Sequence, residues 1–243
     1  NILSKENWHM KNKYFFIIFF SFICSMLLSL ASEGLKDKKN LNIELDKKKN
    51  ILQSIGIETV GLSSEMIISK FNFNIKEQVI NIDGMIVNDI LDKDLEKNIN
   101  RRSGDTEYYN ENNKYFPLFI SETMNSIILP ISGKGLWSSL FGYVAINSKN
   151  YSTVNGITFY AHGETPGLGA EISKDWFKSN FVGKEIYDGG TLVSVRVAKA
   201  GMANKSSSYE VDGISGATIT SNGVEELLKR DLKKYEPYFN RNK

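Results

Sequence analysis

The residues best suited to chemistry form a small-residue loop, residues 212–221, directly ahead of a predicted helix. The loop contains two glycines and four hydroxyl side chains, Ser215, Thr218, Thr220 and Ser221. Such a loop can cradle a phosphate, because glycine lets the backbone approach and a helix start offers free N–H groups and a positive dipole end. The same composition is typical of a turn that only caps a helix. From the residues alone both interpretations stay open.

A second loop, residues 164–169, has the composition of a tight turn beside a flat surface. Pro166 and Gly167 suit the two central positions of a type II turn. Glycines on both sides of Leu168 would let the loop press against a ring. The alternative is a structural turn with an exposed leucine. The neighbouring His162 receives no role, since a lone histidine beside a glycine turn is more often a hydrogen-bonding residue than a proton donor.

The composition excludes several kinds of redox and binding site. Cys24 is the single cysteine, and His9 and His162 are the two histidines. No disulfide framework, no thiolate-held iron–sulfur cluster and no histidine-rich metal site can be built from this chain alone. The net charge of +2 is too small to argue for a nucleic-acid partner. Redox chemistry here would need an organic cofactor or a partner's redox group.

Residues 14–31 are predicted to form a transmembrane anchor. They contain no charge, proline or glycine, and as a helix they extend about 27 Å, close to the hydrocarbon thickness of a bilayer. Lys11 and Lys13 precede them, which favours a short cytoplasmic N-terminus, residues 1–13, and export of the rest. The alternative is a cleaved signal peptide with its cleavage site at residues 29–31.

The rest of the chain divides into a tether and one exported domain. Residues 32–56 are predicted to be a polar tether with a short helix, residues 45–55, that ends at Gly56. Residues 57–243 form the predicted domain. Within it, residues 57–113 are expected to be a small helical or irregular layer, with a surface excursion at residues 92–105.

From residue 115 onward, short apolar runs separated by glycine predict an α+β domain with a twisted, mostly antiparallel sheet and packed helices. The predicted strands are residues 116–120, 126–131, 142–146, 156–161 and 191–198, with a helix-sized gap at residues 176–181. The chain closes with an amphipathic helix capped at Asn222, whose apolar face holds Val224, Leu227, Leu228, Leu232 and Tyr235.

Three motifs carry a resemblance to a known family. Asp212-x-x-Ser215-Gly216-Ala217-Thr218 resembles the flavinylation motif recognised by bacterial FMN transferases. Residues 133–138 with Gly142-Tyr143, and residues 162–169, resemble two further motifs of the same family. Together with the N-terminal apolar segment, they are similar to the C subunits of sodium-translocating NADH:quinone oxidoreductases. The similarity runs over most of residues 115–234.

The resemblance implies one FMN per chain, held by a phosphoester bond to Thr218. Thr218 would be a passive acceptor modified once by another enzyme, so no catalytic residue and no metal site is implied. Ser215, Gly216 and Ala217 would support the phosphate. Asp212 would serve recognition by the transferase.

The resemblance also suggests contacts for the flavin ring. Leu168 would pack on the isoalloxazine, and Glu164 and Thr165 would make polar contacts at its edge. Trp137 is either a further ring contact or a core tryptophan. Lys199 would place positive charge near the flavin or its phosphate, with a solvated strand-end lysine as the alternative.

The implied function is electron relay within a respiratory complex. The chain would be a single-pass inner-membrane subunit, with its C-terminal domain in the periplasm, of an NADH:quinone reductase that transports sodium. Its partners would be the other subunits and an FMN transferase. One alternative is the G-type FMN subunit of the related ferredoxin:NAD oxidoreductase complex. The other is a membrane-tethered structural or binding domain without cofactor.

Overall fold

The computed structural model describes the backbone of residues 2–243 and the side chains of residues 13–243. The expected cytoplasmic segment, residues 1–13, therefore lies outside the described side chains apart from Lys13. The chain divides into two compact units, residues 1–46 and residues 47–243.

The first helix, α1 (Ile2–Ser54), contains the apolar segment. Among the described residues, this is the one helix long and apolar enough to cross a membrane. The polar segment that follows, predicted as a polar tether with a short helix at residues 45–55, is helical up to Ser54, because leucine, lysine and glutamate are strong helix formers and no proline interrupts them. The predicted glycine stop is confirmed at Gly56, which has a φ of +80°.

The second unit is built on an eight-stranded sheet with antiparallel pairing throughout. The strand order is β2-β1-β5-β6-β7-β8, and the β3–β4 hairpin joins the edge of β5 that also carries β6. The predicted α+β class is confirmed. The strands are β1 (Lys76–Asn81), β2 (Ile86–Val87), β3 (Glu96–Ile99), β4 (Thr106–Asn110), β5 (Asn113–Ser121), β6 (Ser126–Lys134), β7 (Ser139–Asn147) and β8 (Val154–Ala161).

Residues 57–113 contribute more to this sheet than predicted. Strand β1 pairs with β5 along its whole length, and its Val79 and Ile80 are fully buried. The polar residues of β1 conceal this, because lysine, glutamate and asparagine are weak strand formers. The expected surface excursion at residues 92–105 is also partly internal, since Asp92 is buried and its carboxylate lies 2.5 Å from the Lys47 ammonium.

The C-terminal helix, α4 (Thr218–Asn242), covers one face of the sheet. All five predicted apolar-face residues, Val224, Leu227, Leu228, Leu232 and Tyr235, are buried. The Tyr235 hydroxyl donates to the Pro117 carbonyl at 2.8 Å, and Arg241 Nε donates to the Asp83 carbonyl at 2.8 Å. The helix begins one turn before the predicted cap at Asn222, because the Ser221 N–H already donates to the Ala217 carbonyl.

The other face of the sheet is partly covered by the last turns of α1 and by α2 (Ser64–Asn74). A methyl group on Gly156 of β8 would overlap the Ser54 carbonyl, so the end of α1 lies directly on this strand. The buried residues that form this second layer are Ile51, Leu52, Ile55, Ile67 and Phe71.

Three short helical segments and four short strands connect β8 to α4. Helix α3 (Asp175–Lys178) and the 3₁₀ turn after it occupy the predicted helix-sized gap. The predicted strand at residues 191–198 is wrong as one strand, because Ser194 has a φ of +66° and breaks it. The observed strands are β9 (Tyr187–Asp188), β10 (Thr191–Leu192), β11 (Arg196–Ala198) and β12 (Glu210–Asp212), of which β11 and β12 pair in parallel.

Candidate functional site

The Glu164 carboxylate joins three separate segments at one end of the sheet. Its Oε1 accepts from the backbone N–H groups of Trp137 and Ser138, both at 3.0 Å, and from the Ser138 hydroxyl at 3.3 Å. Its Oε2 accepts from the Leu136 N–H at 3.2 Å and from the Thr220 hydroxyl at 2.6 Å. This one side chain therefore holds the β6–β7 loop, the loop after β8 and the first turn of α4 together.

Glu164 is ionised in the folded protein although it is only 6% exposed. Burial acts to raise the pKa of this carboxyl, but the hydrogen bonds from Thr220 and from the backbone of residues 136–138 outweigh it and leave the pKa below its usual value. The negative charge is thus stabilised by donors of the protein itself.

Two glycines leave the space that this carboxylate occupies. A methyl group on Gly135 would lie 2.6 Å from Glu164 Oε1. A methyl group on Gly169 would lie 2.7 Å from both Glu164 Oε2 and the Thr220 hydroxyl. These separations are below van der Waals contact, so both positions need glycine for steric reasons.

The first turn of α4 and the segment that leads into it are also held by hydrogen bonds. The Ser221 hydroxyl accepts from the Ile214 N–H at 3.0 Å, and the Gly213 N–H donates to the Ala198 carbonyl at 2.8 Å. In contrast, the side chains of Ser215 and Thr218 are exposed. The Thr218 hydroxyl therefore stands free on a rigid helix start, whose leading N–H groups have no intrahelical partner.

The predicted type II turn is present at residues 165–168. The Leu168 N–H donates to the Thr165 carbonyl at 3.1 Å, and Gly167 has a φ of +75°. Leu168 is 42% exposed, and its Cδ2 would lie 2.9 Å from a methyl group on Gly216. The turn thus brings Leu168 against Gly216 of the 215–218 loop, and Thr165 is exposed on the same turn.

Apolar side chains are exposed on the segments that Glu164 joins. Leu136 is 45% exposed, Trp137 67% and Ile219 58%. Trp137 is therefore not a core residue, which was one of its two predicted roles. Exposed apolar side chains on segments that a single carboxylate joins are typical of a binding surface.

Asp212 and Lys199 lie at the ends of the paired strands β12 and β11. Asp212 Oδ1 accepts from the Ala203 N–H at 2.9 Å and so braces the segment that follows β11. Lys199 begins this segment, and its side chain is exposed. The described contacts do not join either side chain to the Glu164 cluster.

Sequence reasoning named Thr220 and Ser221 only as hydroxyls of a phosphate loop and Ser138 only within a motif, so it missed their supporting role. Ser138, Thr220 and Ser221 carry the hydrogen bonds that fix the three segments, yet they resemble ordinary loop hydroxyls. Only their burial in the structure distinguishes them, since Thr220 is 1% and Ser221 3% exposed. His162 bonds to the Ser173 hydroxyl at 2.7 Å, a structural contact. In the described residues no group of three or more His, Cys, Asp or Glu side chains could hold a metal ion.

Comparison with known proteins matches this arrangement to one family. Residues 135–233 match the FMN-binding domain family. The C subunit (NqrC) of the Na(+)-translocating NADH-quinone reductase of Vibrio anguillarum is 32% identical, over 93% of this chain and 91% of the relative. The chain belongs to this NqrC family. The C subunit of the same reductase from Haemophilus ducreyi is also 32% identical, over 88% of this chain and 86% of the relative.

Solved structures of NqrC proteins share the fold. The crystal structure from Parabacteroides distasonis has 33% identity and a TM-score of 0.69, covering 84% of this chain and 96% of that one. The crystal structure of Shewanella oneidensis NqrC has 25% identity and a TM-score of 0.67, covering 81% and 96%. Both support the resemblance that the three motifs indicated.

Proposed function

We propose that this chain is a membrane-anchored electron-relay subunit of a sodium-translocating NADH-quinone reductase and carries one FMN on Thr218. The observation that carries the proposal is the exposed Thr218 hydroxyl, held on the first turn of α4 within the matched FMN-binding region. A phosphoester bond from this oxygen would tether the flavin. A tether suits an exported protein, because a dissociated FMN would be hard to replace outside the cytoplasm.

The residues around Thr218 fit the phosphate end of FMN. Ser215 offers an exposed hydroxyl, and Gly216, with a φ of +75°, bends the backbone around the site. Ala217 precedes the first helical residue, where free N–H groups and the helix dipole favour a phosphate. These residues would hold the negative charge without any metal ion.

The exposed apolar side chains fit the ring end. Leu168 and Trp137 are the proposed isoalloxazine contacts, and Thr165 is the proposed polar contact at its edge. Glu164 is proposed to position these side chains. Both of its carboxylate oxygens accept hydrogen bonds from the segments that it holds together. Lys199 is proposed as a positive charge in the wider surroundings of the flavin.

FMN supplies the electron-transfer chemistry when bound, and the chain supplies its position. The three segments joined by Glu164 set the location of the ring, and the tether on Thr218 limits its movement. Asp212 is proposed to serve recognition by the FMN transferase, together with the 215–218 loop. No residue of this chain is proposed to transform a substrate.

The apolar part of α1 supports membrane anchoring. Its described side chains are exposed to the surroundings, for example Phe15 at 71% and Leu28 at 72%. In water such a surface would be costly, whereas in a bilayer it is solvated by lipid. We propose a single pass through the inner membrane, the domain in the periplasm, and the other subunits of the complex as partners.

The test of the flavin site is co-expression with a bacterial FMN transferase, denaturation and in-gel flavin fluorescence. We expect fluorescence that survives denaturation, on a Thr218 peptide heavier by FMN minus one water. Thr218→Ala should abolish the signal, whereas Thr191→Ala, at an exposed threonine of β10 outside the proposed site, should retain it. A dark denatured band from a yellow folded protein would mean a bound but untethered cofactor.

A second test separates the anchor from a cleaved signal peptide. The chain is expected to stay in membranes washed with alkaline carbonate, and its intact mass should include residues 14–31. A soluble product lacking these residues would contradict the anchor without affecting the flavin proposal.

A further inference from the structure

A second potential binding site lies on the sheet face opposite α4, within residues 47–243. Here the structure encloses a cavity of about 220 Å³. Core residues of α4 pack against alternate residues such as Leu118, Leu129 and Val144. Their neighbours Phe119, Pro130 and Tyr143 point the other way and line the cavity. The cavity is therefore separate from the segments that Glu164 joins.

The cavity walls are mainly aromatic. The Tyr143 and Tyr160 rings are stacked with centroids 5.4 Å apart, and the Phe141 and Tyr160 centroids are 6.4 Å apart. Phe119 meets Tyr143 edge-on at 6.0 Å. Tyr160 is 45% exposed, so one side is open to solvent. Flat walls of this kind favour a planar ring, and a cavity of about 150 Å³ already accepts benzene.

One polar group in the wall has no partner. Thr106 lines the cavity and is only 6% exposed, yet its hydroxyl makes no hydrogen bond within the described residues. Buried hydroxyls are nearly always paired in folded proteins, because an unpaired one loses its bonds to water. The Thr106 hydroxyl therefore lacks a hydrogen-bond partner that a ligand in the cavity could supply.

The charges of the lining favour an anion. Lys47 is neutralised, since its ammonium lies 2.5 Å from Asp92 and 3.9 Å from Glu77. Lys97 also lines the cavity, lies over the Tyr108 ring at 5.8 Å and has no ion-pair partner among the described carboxylates. Lys97 is therefore the lining ammonium that no described carboxylate neutralises. Burial raises the pKa of the Tyr143 phenol well above its usual range, so this ring adds no negative charge.

We propose that this cavity binds a small planar aromatic carboxylate of the size of 4-hydroxybenzoate. The ring would lie among the aromatic side chains. The oxygen substituents would be recognised by the Thr106 hydroxyl and the Lys97 ammonium. This site goes beyond the flavin function and does not depend on it.

The experiment is calorimetric titration of 4-hydroxybenzoate into the full chain in lipid nanodiscs. Thr106→Val and Lys97→Gln should each raise the Kd about tenfold, the usual effect of losing one hydrogen bond to a charged group. Lys233→Gln, at an exposed lysine of α4, should leave the Kd unchanged. Cyclohexanecarboxylate, which has the charge but no aromatic ring, should bind at least fivefold more weakly than 4-hydroxybenzoate.

A stability measurement separates ligand recognition from misfolding. Without ligand, Thr106→Val should have an equal or higher Tm, because the unpaired hydroxyl is replaced by a methyl group of similar shape. Flavin loading should be unchanged in both cavity variants. The proposal is overturned by no titration heat at millimolar ligand, by equal Kd values in wild type, Thr106→Val and Lys97→Gln, or by equal binding of the cyclohexane analogue.

Discussion

Glu164 shows how a single charge can position the segments that carry a proposed flavin site. Its two oxygens accept five hydrogen bonds from residues 136–138 and Thr220. The ammonium or guanidinium that usually neutralises a buried carboxylate is replaced here by N–H and O–H dipoles. The motif at residues 162–169 identified Glu164 in advance, but it could not name Thr220, because that contact spans 56 residues of sequence.

Glu164→Gln is expected to destabilise the domain by about 2–3 kcal/mol, because an amide cannot accept all of these bonds and its NH₂ faces backbone donors. Urea unfolding at pH 7 measures the effect. Glu226→Gln, at an exposed position of α4, is the matched control and should leave the unfolding midpoint unchanged. Equal midpoints for the two variants would contradict the role assigned to Glu164.

The same carboxylate predicts a pH dependence. The pKa of Glu164 is lowered in the folded protein, against about 4.3 in an unfolded chain. Its contribution is therefore fully present above pH of about 4.3 and is lost as the pH falls through the folded pKa. The stability difference between wild type and Glu164→Gln should shrink below that pH in a series of urea titrations. A difference that stays constant down to pH 3 would count against an ionised Glu164.

At the scale of elements, α4 is shaped by a close approach to the β6–β7 loop. A methyl group on Gly223, inside the helix, would overlap the Lys134 carbonyl. Helix propensity alone favours alanine over glycine by about 1 kcal/mol. Packing opposes this preference here, since the overlapping group is backbone and cannot rotate away.

Gly223→Ala is accordingly expected to lower stability by about 1–2 kcal/mol, the steric cost exceeding the gain in propensity. Asn222→Ala, one residue earlier and exposed, should instead be neutral or slightly stabilising. Thermal unfolding of the two variants distinguishes these directions. A stabilised Gly223→Ala protein would show that the loop moves away at low cost.

The elements that the sequence predicted well are those with strong apolar patterns. Strands β5–β8 and the buried face of α4 follow from their runs of valine, isoleucine, leucine and phenylalanine. Strand β1 was missed because its polar residues hide two buried ones. The break at Ser194 was missed because a serine with a positive φ angle cannot be recognised in an alternating apolar and polar pattern.

At the scale of the whole molecule, a buried charge network joins α4 to the sheet. Asp231 is 2% exposed, and its Oδ2 accepts from the Ser132 N–H at 2.8 Å. Its Oδ1 lies 3.0 Å from Arg230 and 2.9 Å from Lys234, both of which also pair with Asp105. The sequence analysis did not predict this network, since the distant Asp105 cannot be foreseen from a pattern on α4.

Asp231→Asn is expected to destabilise the domain by about 2–3 kcal/mol, because it removes the central charge of a buried network and leaves Arg230 and Lys234 with Asp105 alone. Asp175→Asn, whose side chain is 99% exposed beside Lys178, should leave the midpoint unchanged. Chemical denaturation of both variants at pH 7 provides the comparison. A small effect at Asp231 would mean that Asp105 compensates for the lost charge.

The late position of α4 in the chain has a consequence for folding kinetics. Its contacts reach back to Asp83 through Arg241 and to Pro117 through Tyr235, across more than half of the second unit. Contacts so distant in sequence form slowly, because a long loop must close before they give any stabilisation. Until synthesis has passed α4, the part of the sheet face that α4 packs against is uncovered. During that interval the nascent domain is most susceptible to aggregation and proteolysis. Docking of α4 therefore determines when the domain is protected from both.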